Sequence, residues 1–279
     1  MLLPEWLHRL LRLPYLLHIS KQGYRGPTLI FLHGIAADQT IWHDVTPSLM
    51  GEYQIIKIDL LGHGKSPKPT HLRYTAQDHA RSIRWTLFWH RVWGEKTFVG
   101  HSMGSLISTY LAAHYRHYVA RLVLVAMPIY QPNDMAGEKS LRLEGLIDKV
   151  YLRFYRALRT LPKQHVIRSV NALVKAVPSL VGQAMLDEQT WYPVASSLKN
   201  TIENQCTTEE IKQLPSSMPV TVVYGTLDNL VIAGNLKKAF KERGNTVFYK
   251  VLAPHEVTKS FAHAIARSIR EQILSGKSL

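Results

Sequence analysis

Gly100-His101-Ser102-Met103-Gly104 sets a serine between two glycines, directly after the apolar run Thr97–Val99 and directly before the helical run Ser105–His114. A serine on a strand-to-helix reversal can be held in a strained backbone conformation, and the flanking glycines relieve crowding there. Its hydroxyl then stands at a helix N-terminus, placed to act as a nucleophile. The bland alternative is a small-residue turn with no chemistry; the strand before and the helix after favour the nucleophile. A hydroxyl attacks only when a base takes its proton and a third group orients that base. Asp228, in Tyr224-Gly225-Thr226-Leu227-Asp228, and His255, in Leu252-Ala253-Pro254-His255, each come just past a β-rich run and supply the acid and the base.

Fourteen histidines compete for the base. His263 is the nearest rival, but it falls inside an amphipathic helical pattern rather than a post-strand loop. No carboxylate closely follows Leu122–Val125, where Ala126 and Met127 stand, which strengthens Asp228. Asp59 ends an earlier run and is read as holding the adjacent turn. Developing negative charge needs a receptor, and His33-Gly34 follows the run Thr28–Leu32. The backbone amides of Ile35 and Met103 are the expected oxyanion hole, each donor worth roughly 3–4 kcal/mol. His33 itself is read as a structural hydrogen-bonder.

These residues require elements to position them. Thr28–Leu32, Gln54–Ile58, Thr97–Val99, Leu122–Val125, Val220–Tyr224 and Val247–Leu252 are short, nearly continuous apolar or β-branched runs, as expected of strands buried on both faces of a parallel sheet. Helix-sized stretches, Ala76–Trp93, Ser105–His114, Leu230–Arg243 and Ser260–Leu274, lie between or after them, which predicts right-handed crossovers. Residues 128–215 break the rhythm. They hold no convincing strand but several helical patterns, at Met135–Leu161, His165–Val177, Leu180–Leu186 and Trp191–Cys206, with Pro162, Pro178 and Pro193 expected at helix boundaries. The expected organisation is a core of 1–127 and 216–279 with a helical cap, 128–215, over the sheet's carboxyl edge.

The chain has 279 residues, 46% apolar and 19% charged, with a mean hydropathy of −0.09. These values exclude intrinsic disorder, collagen and a coiled-coil rod. One cysteine, Cys206, allows no internal disulfide or Cys-rich zinc module and fits a reducing compartment. No uncharged apolar run reaches the roughly 18 residues of a membrane span. Glu5, Arg9 and Arg12 interrupt the apolar first twenty residues, unlike a secretory signal, so a cytoplasmic location is expected. The formal net charge is +14, yet no arginine-rich run, zinc finger or RNA-binding aromatic signature points to nucleic acid. The amphipathic piece Pro4–Leu13 sets Trp6, Leu7, Leu10 and Leu11 against Arg9 and Arg12; it either docks on the protein or, with the basic surface, makes a peripheral membrane contact.

FLHGIAADQTIW, DLLGHGKS, VGHSMGS, YGTLDNLV and the C-terminal APHE together resemble the α/β-hydrolase family, particularly its branch with a helical cap inserted after the sixth strand. The resemblance spans about residues 15–275. It implies a mostly parallel eight-stranded sheet, a Ser102–His255–Asp228 triad in the family's chain order of serine, acid, histidine, and oxyanion donors at Ile35 and Met103. A serine nucleophile argues against the dehalogenase and epoxide-hydrolase branches, which use aspartate. His101 and Glu256 stand where carbon–carbon bond hydrolases of ring-fission products carry asparagine and tryptophan, and Ser105 replaces a frequent third glycine.

The expected activity is hydrolysis of a small-to-medium, fairly apolar carboxylic ester through an acyl-enzyme, with no metal or organic cofactor. Met127 and the cap residues Phe154, Met185 and Trp191 are the expected pocket lining, with Leu146, Leu158 and Tyr192 adding apolar stock. Thioester, lactone or carbon–carbon hydrolysis and acyl transfer are alternatives on the same three residues. A non-catalytic scaffold binding a membrane or partner is the reading from another class, and the intact catalytic set counts against it.

Overall fold

The computed structural model describes residues 4–23, 25–130, 187–228 and 230–275, with residues 164, 165, 167, 168, 171 and 172. Seven strands form one sheet: β1 (Ile19–Gln22), β2 (Thr28–Leu32), β3 (Gln54–Ile58), β4 (Lys96–His101), β5 (Arg121–Val125), β6 (Val220–Gly225) and β7 (Thr246–Val251). Their order is β1-β3-β2-β4-β5-β6-β7. Only β1 is antiparallel, pairing Ile19 with Ile58; every other neighbour is parallel.

Burial follows position in the sheet. Every residue of β2, β4 and β6 is buried, whereas the edge strands β1 and β7 contain no fully buried residue. Five of the six apolar runs are interior strands, and the sixth, Val247–Leu252, forms the edge strand β7. The polar, half-exposed ISKQ of β1 gives no such signal. The family resemblance implies eight strands; the described residues hold seven. Ahead of Ile19 the chain forms α1 (Glu5–Leu11) and then an extended segment spent on a helix, where the amide of Leu17 donates to Thr86 Oγ1 at 2.8 Å instead of to another strand.

The helices that carry the crossovers are α2 (Ala76–Trp89), α3 (Met103–His114), α6 (Ala233–Ala239) and, after β7, α7 (Lys259–Ser275). A reciprocal capping box starts α2: Thr75 Oγ1 accepts from the Asp78 amide at 3.2 Å, and Asp78 Oδ2 accepts from the Thr75 amide at 3.0 Å. The chain between β5 and β6 is the insertion expected to form the cap. Its described part is helical, α4 (Glu188–Ser197), a π-helical stretch Leu198–Glu203, and α5 (Thr207–Gln213). Tyr192 Oη donates to Leu72 O at 2.9 Å and Thr201 Oγ1 to Tyr74 O at 2.7 Å, so this part fastens to the loop after β3.

Pro193 corrects one expectation. It lies inside α4, not at a boundary, because Asp187 caps the helix upstream by accepting from the Gln189 and Thr190 amides at 2.9 and 2.7 Å. A proline in the second turn of a helix loses one backbone bond, and here its ring is buried.

Glu210 on α5, packed toward α3, is only 7% exposed, and burial raises its pKa to about 7. The unfolded chain would ionise it first, so stability declines as pH rises from about 4.5 to about 7. Glu210→Gln is expected to be more stable than the parent at pH 8 by on the order of 3 kcal/mol, with the gap closing at pH 4. Urea unfolding of both proteins at the two pH values checks this; a gap independent of pH contradicts it.

Candidate active site

Parallel pairing brings the carboxyl ends of β2, β4, β6 and β7 to one edge, and each of the residues singled out for chemistry lies just past one of them. Ser102 joins β4 to α3 with φ 50° and ψ −118°, a conformation costing roughly 1–3 kcal/mol for a residue with a Cβ. It is held there by its amide, which donates to Val125 O at 2.9 Å. A Cβ on Gly104 would meet Leu32 O at 2.4 Å, and one on Gly100 would meet Gly104 O at 2.4 Å. The close approach of α3, the Ser102 turn and β2 therefore demands glycine at both ends of the pentapeptide. Ser105, where a third glycine is common, uses its hydroxyl: Oγ donates to Gly100 O at 2.7 Å, binding the first turn of α3 to the end of β4. Ser102 heads α3 without a side-chain capping bond, so its hydroxyl is not spent on the helix.

The expected acid and base lie on the loops after β6 and β7. Asp228 Oδ1 accepts from the amides of Leu230 and Val231 at 2.9 and 3.2 Å, and Oδ2 accepts from His255 Nδ1 at 2.8 Å. Both side chains are buried, at 0% and 9% exposure, where an ion pair is little screened. The two loops are also tied by backbone. Thr226 N donates to Val251 O at 2.8 Å and Leu227 N to Ala253 O at 3.1 Å. A Cβ on Gly225 would lie 2.1 Å from Ala253 O, so this convergence needs glycine. Burial alone would hold the His255 pKa down; the charge of Asp228 and its hydrogen bond outweigh it and raise the pKa above the ordinary histidine value.

His255 is also fastened to the Ser102 turn. His101 Nε2 donates to the His255 carbonyl oxygen at 2.8 Å, and the two rings are 5.0 Å apart. Burial, then the neighbouring His255, lower the His101 pKa to about 3, so the ring is neutral, with the carbonyl acceptor placing its proton on Nε2. Reasoning from the sequence treats His101 only as a departure from asparagine; the available signal was its place beside the nucleophile, and its bond is visible only in three dimensions.

The other sequence-derived residues sort plainly. The loop after β2 abuts the nucleophile, since a Cβ on Gly34 would lie 3.2 Å from Ser102 Cβ. That brings the Ile35 amide to the same corner as the Met103 amide at the start of α3. His33 donates from Nδ1 to Gly34 O at 2.7 Å and accepts the Leu60 amide on Nε2 at 2.9 Å, as a structural hydrogen-bonder should. Asp59 holds its turn by accepting from the amides of Gln39 and Lys65, both at 2.9 Å. His263 is exposed on α7. Of the expected pocket residues, Met127 is fully buried in the core and Trp191 packs half-buried against it. Phe154 and Met185, with Leu146 and Leu158, lie outside the described residues.

A parallel α/β sheet with a strained serine turn and a buried Asp–His pair on its carboxyl edge has the architecture of the α/β hydrolases. The family model for the alpha/beta hydrolase fold matches residues 27–255, and the chain belongs to that family. A pimeloyl-[acyl-carrier protein] methyl ester esterase of Vibrio vulnificus is 27% identical over 259 residues, 89% of this chain and 96% of that protein. A probable lysophospholipase of Arabidopsis thaliana, BODYGUARD 4, is 35% identical over 111 residues, which span 39% of this chain and only 26% of the plant protein. Among solved structures, the enol-lactonase of Burkholderia xenovorans superposes with a TM-score of 0.72 at 17% identity, covering 92% of this chain and 96% of that one.

Replacing the cross-link at His101 should act through geometry alone. His101→Leu is expected to lower kcat by about tenfold to a hundredfold with little change in KM, and His101→Gln, whose amide nitrogen can reach the same carbonyl, to stay within about threefold. Steady-state kinetics on a soluble ester check this; equal losses in both variants contradict it.

Proposed function

We propose that the chain is a carboxylic-ester hydrolase in which Ser102 is the nucleophile, His255 the general base and acid, and Asp228 the residue that orients the imidazole. The observation that carries this reading is the buried 2.8 Å bond from His255 Nδ1 to Asp228, one loop away from the strained serine turn. With its proton on Nδ1, His255 offers Nε2 to the Ser102 hydroxyl. Ser102 Oγ attacks the ester carbonyl as its proton passes to Nε2, and Asp228 stabilises the imidazolium that forms. The tetrahedral oxyanion is received by the amides of Ile35 and Met103. His255 then protonates the leaving alcohol, and water activated by the same nitrogen releases the acid and restores Ser102.

The substrate class is a small-to-medium, fairly apolar carboxylic ester. The name of the Vibrio relative, which aligns over nearly its full length, supports an acyl chain esterified to a small alcohol. Residues 128–215 act as the cap over the core formed by 1–127 and 216–279; the helices α4 and α5 at its described end support that division. The location is cytoplasmic, consistent with one exposed, unpaired thiol at Cys206. No helix of the described residues is long and apolar enough to cross a membrane. Peripheral contact through α1 is supported by the exposed Trp6, Leu10 and Leu11 beside Arg9 and Arg12.

Ser102→Ala should reduce hydrolysis of p-nitrophenyl esters at least about a thousandfold and abolish labelling by a fluorophosphonate probe, which mass spectrometry should map to Ser102 in the parent. Hydrolysis that survives the substitution ends the proposal. Because His255 must be neutral to accept the proton and its pKa is raised, kcat/KM should fall on acidification with an apparent pKa above the ordinary histidine value of about 6.5. An acid limb below that value contradicts the assigned base.

A further inference from the structure

The C-terminal end of α2 and the turn after it carry four aromatic rings that pack on one another. Trp85 stacks on Phe88 with centroids 6.2 Å apart and meets Trp89 edge-on at 5.7 Å, and Phe88 meets Trp93 edge-on at 5.5 Å. Phe88, Trp89 and Trp93 are 48%, 57% and 59% exposed. A single exposed ring is ordinary, but contiguous rings standing out of a surface mark an interaction site.

The setting of the rings says what would bind. Between Asp78 and Glu95 the chain has no carboxylate, and it carries Arg81, Arg84 and Arg91. Lys21 Nζ donates to His90 O at 3.2 Å, bringing a further cation to the end of the helix. Arg84 lies over the Tyr115 ring at 3.8 Å, while Lys96 is buried and spent on Gly94 O, so the cations exposed at this end are Arg81, Arg91 and Lys21. Glu95, the first carboxylate beyond the rings, is paired with Arg121 at 3.3 Å.

We propose that this aromatic and basic end of α2 docks on an anionic lipid surface. Indole rings favour the headgroup region, where the apolar body is sheltered and the N–H stays wet, while arginine and lysine meet the anionic headgroups. A second copy of the chain would set this basic face against itself, and a net charge of +14 opposes that. The patch is separate from the candidate active site. α2 leads into the amino end of β4 at Lys96, whereas Ser102 follows its carboxyl end, so docking occurs on the opposite edge of the sheet. It is also separate from α1. The segment after α1 runs alongside α2 in the same direction, with Arg12 O accepting from Arg81 and the Leu17 amide donating to Thr86, which leaves α1 beyond the start of α2 and the rings at its end.

Sedimentation of the full chain with phosphatidylcholine vesicles, with and without phosphatidylserine, tests the proposal and needs no turnover, so its outcome is independent of the ester-hydrolase reading. Binding should require phosphatidylserine, weaken with salt, and weaken by about tenfold in Trp89→Ser/Trp93→Ser while hydrolysis of a soluble ester is unchanged. If that variant does not fold, Arg91→Glu takes its place, and weaker binding to phosphatidylserine supports the proposal. Undiminished binding in these variants overturns it. Loss confined to Trp6→Ser/Leu10→Ser also overturns it, assigning the contact to α1, as does absence of vesicle binding with a dimer that the double tryptophan variant dissolves.

Discussion

Parallel pairing is the constraint on which the site depends. The parallel registers of β3 with β2, of β2 with β4, of β4 with β5, of β5 with β6 and of β6 with β7 put the carboxyl ends of β2 to β7 on one edge. Loops separated by more than a hundred residues in the chain then meet without any of them being long. The sheet itself is held by burial. Leu29 to Leu32, Phe98, Val99 and Leu122 to Val125 have no exposed surface, and each such side chain contributes roughly 1.5–3 kcal/mol against exposure. A slip of one register step would move Ser102 away from the β2 loop and send alternate side chains to the wrong face.

On that frame the chain uses two kinds of fastening. Close backbone approach, made possible by Gly104 at Leu32 O and Gly225 at Ala253 O, brings main chains nearer than a Cβ allows. Buried side-chain bonds then lock the approach: Ser105 to Gly100, Asp228 to His255, and His101 to the His255 carbonyl. In such surroundings each bond has no water to replace it, so leaving one partner unpaired costs about 1–3 kcal/mol.

Much of this was legible in the sequence. The six runs picked out by their apolar or β-branched character each fall within β2 to β7 to within a residue; the interior strands are apolar because both faces are covered, and the edge strand β7 is marked by its Val, Phe and Tyr rather than by burial. The positions of Ser102, Asp228 and His255 could be read because each follows such a run directly. What escaped lacked a one-dimensional signal. β1 is a half-exposed edge strand of mixed residues. Pro193 looks like a helix boundary, but the cap at Asp187 overrides it. His101 is one histidine of fourteen until its partner, 154 residues later, is seen beside it. The stretch with the aromatic rings reads as a helix running on to Trp93, whereas the helix stops at Trp89 and leaves Trp93 in the turn beyond it.

The backbone ties from Thr226 to Val251 and from Leu227 to Ala253 have one more consequence. His255 and Asp228 ride on neighbouring strands as one unit, joined to the Ser102 turn by the single bond from His101, so thermal motion that shears the sheet between β5 and β6 would break that bond and part Ser102 from the imidazole before it parted the imidazole from the carboxylate. Activity should then fade on heating while the acidic and basic partners are still joined, making the enzyme's working range narrower than its folding range.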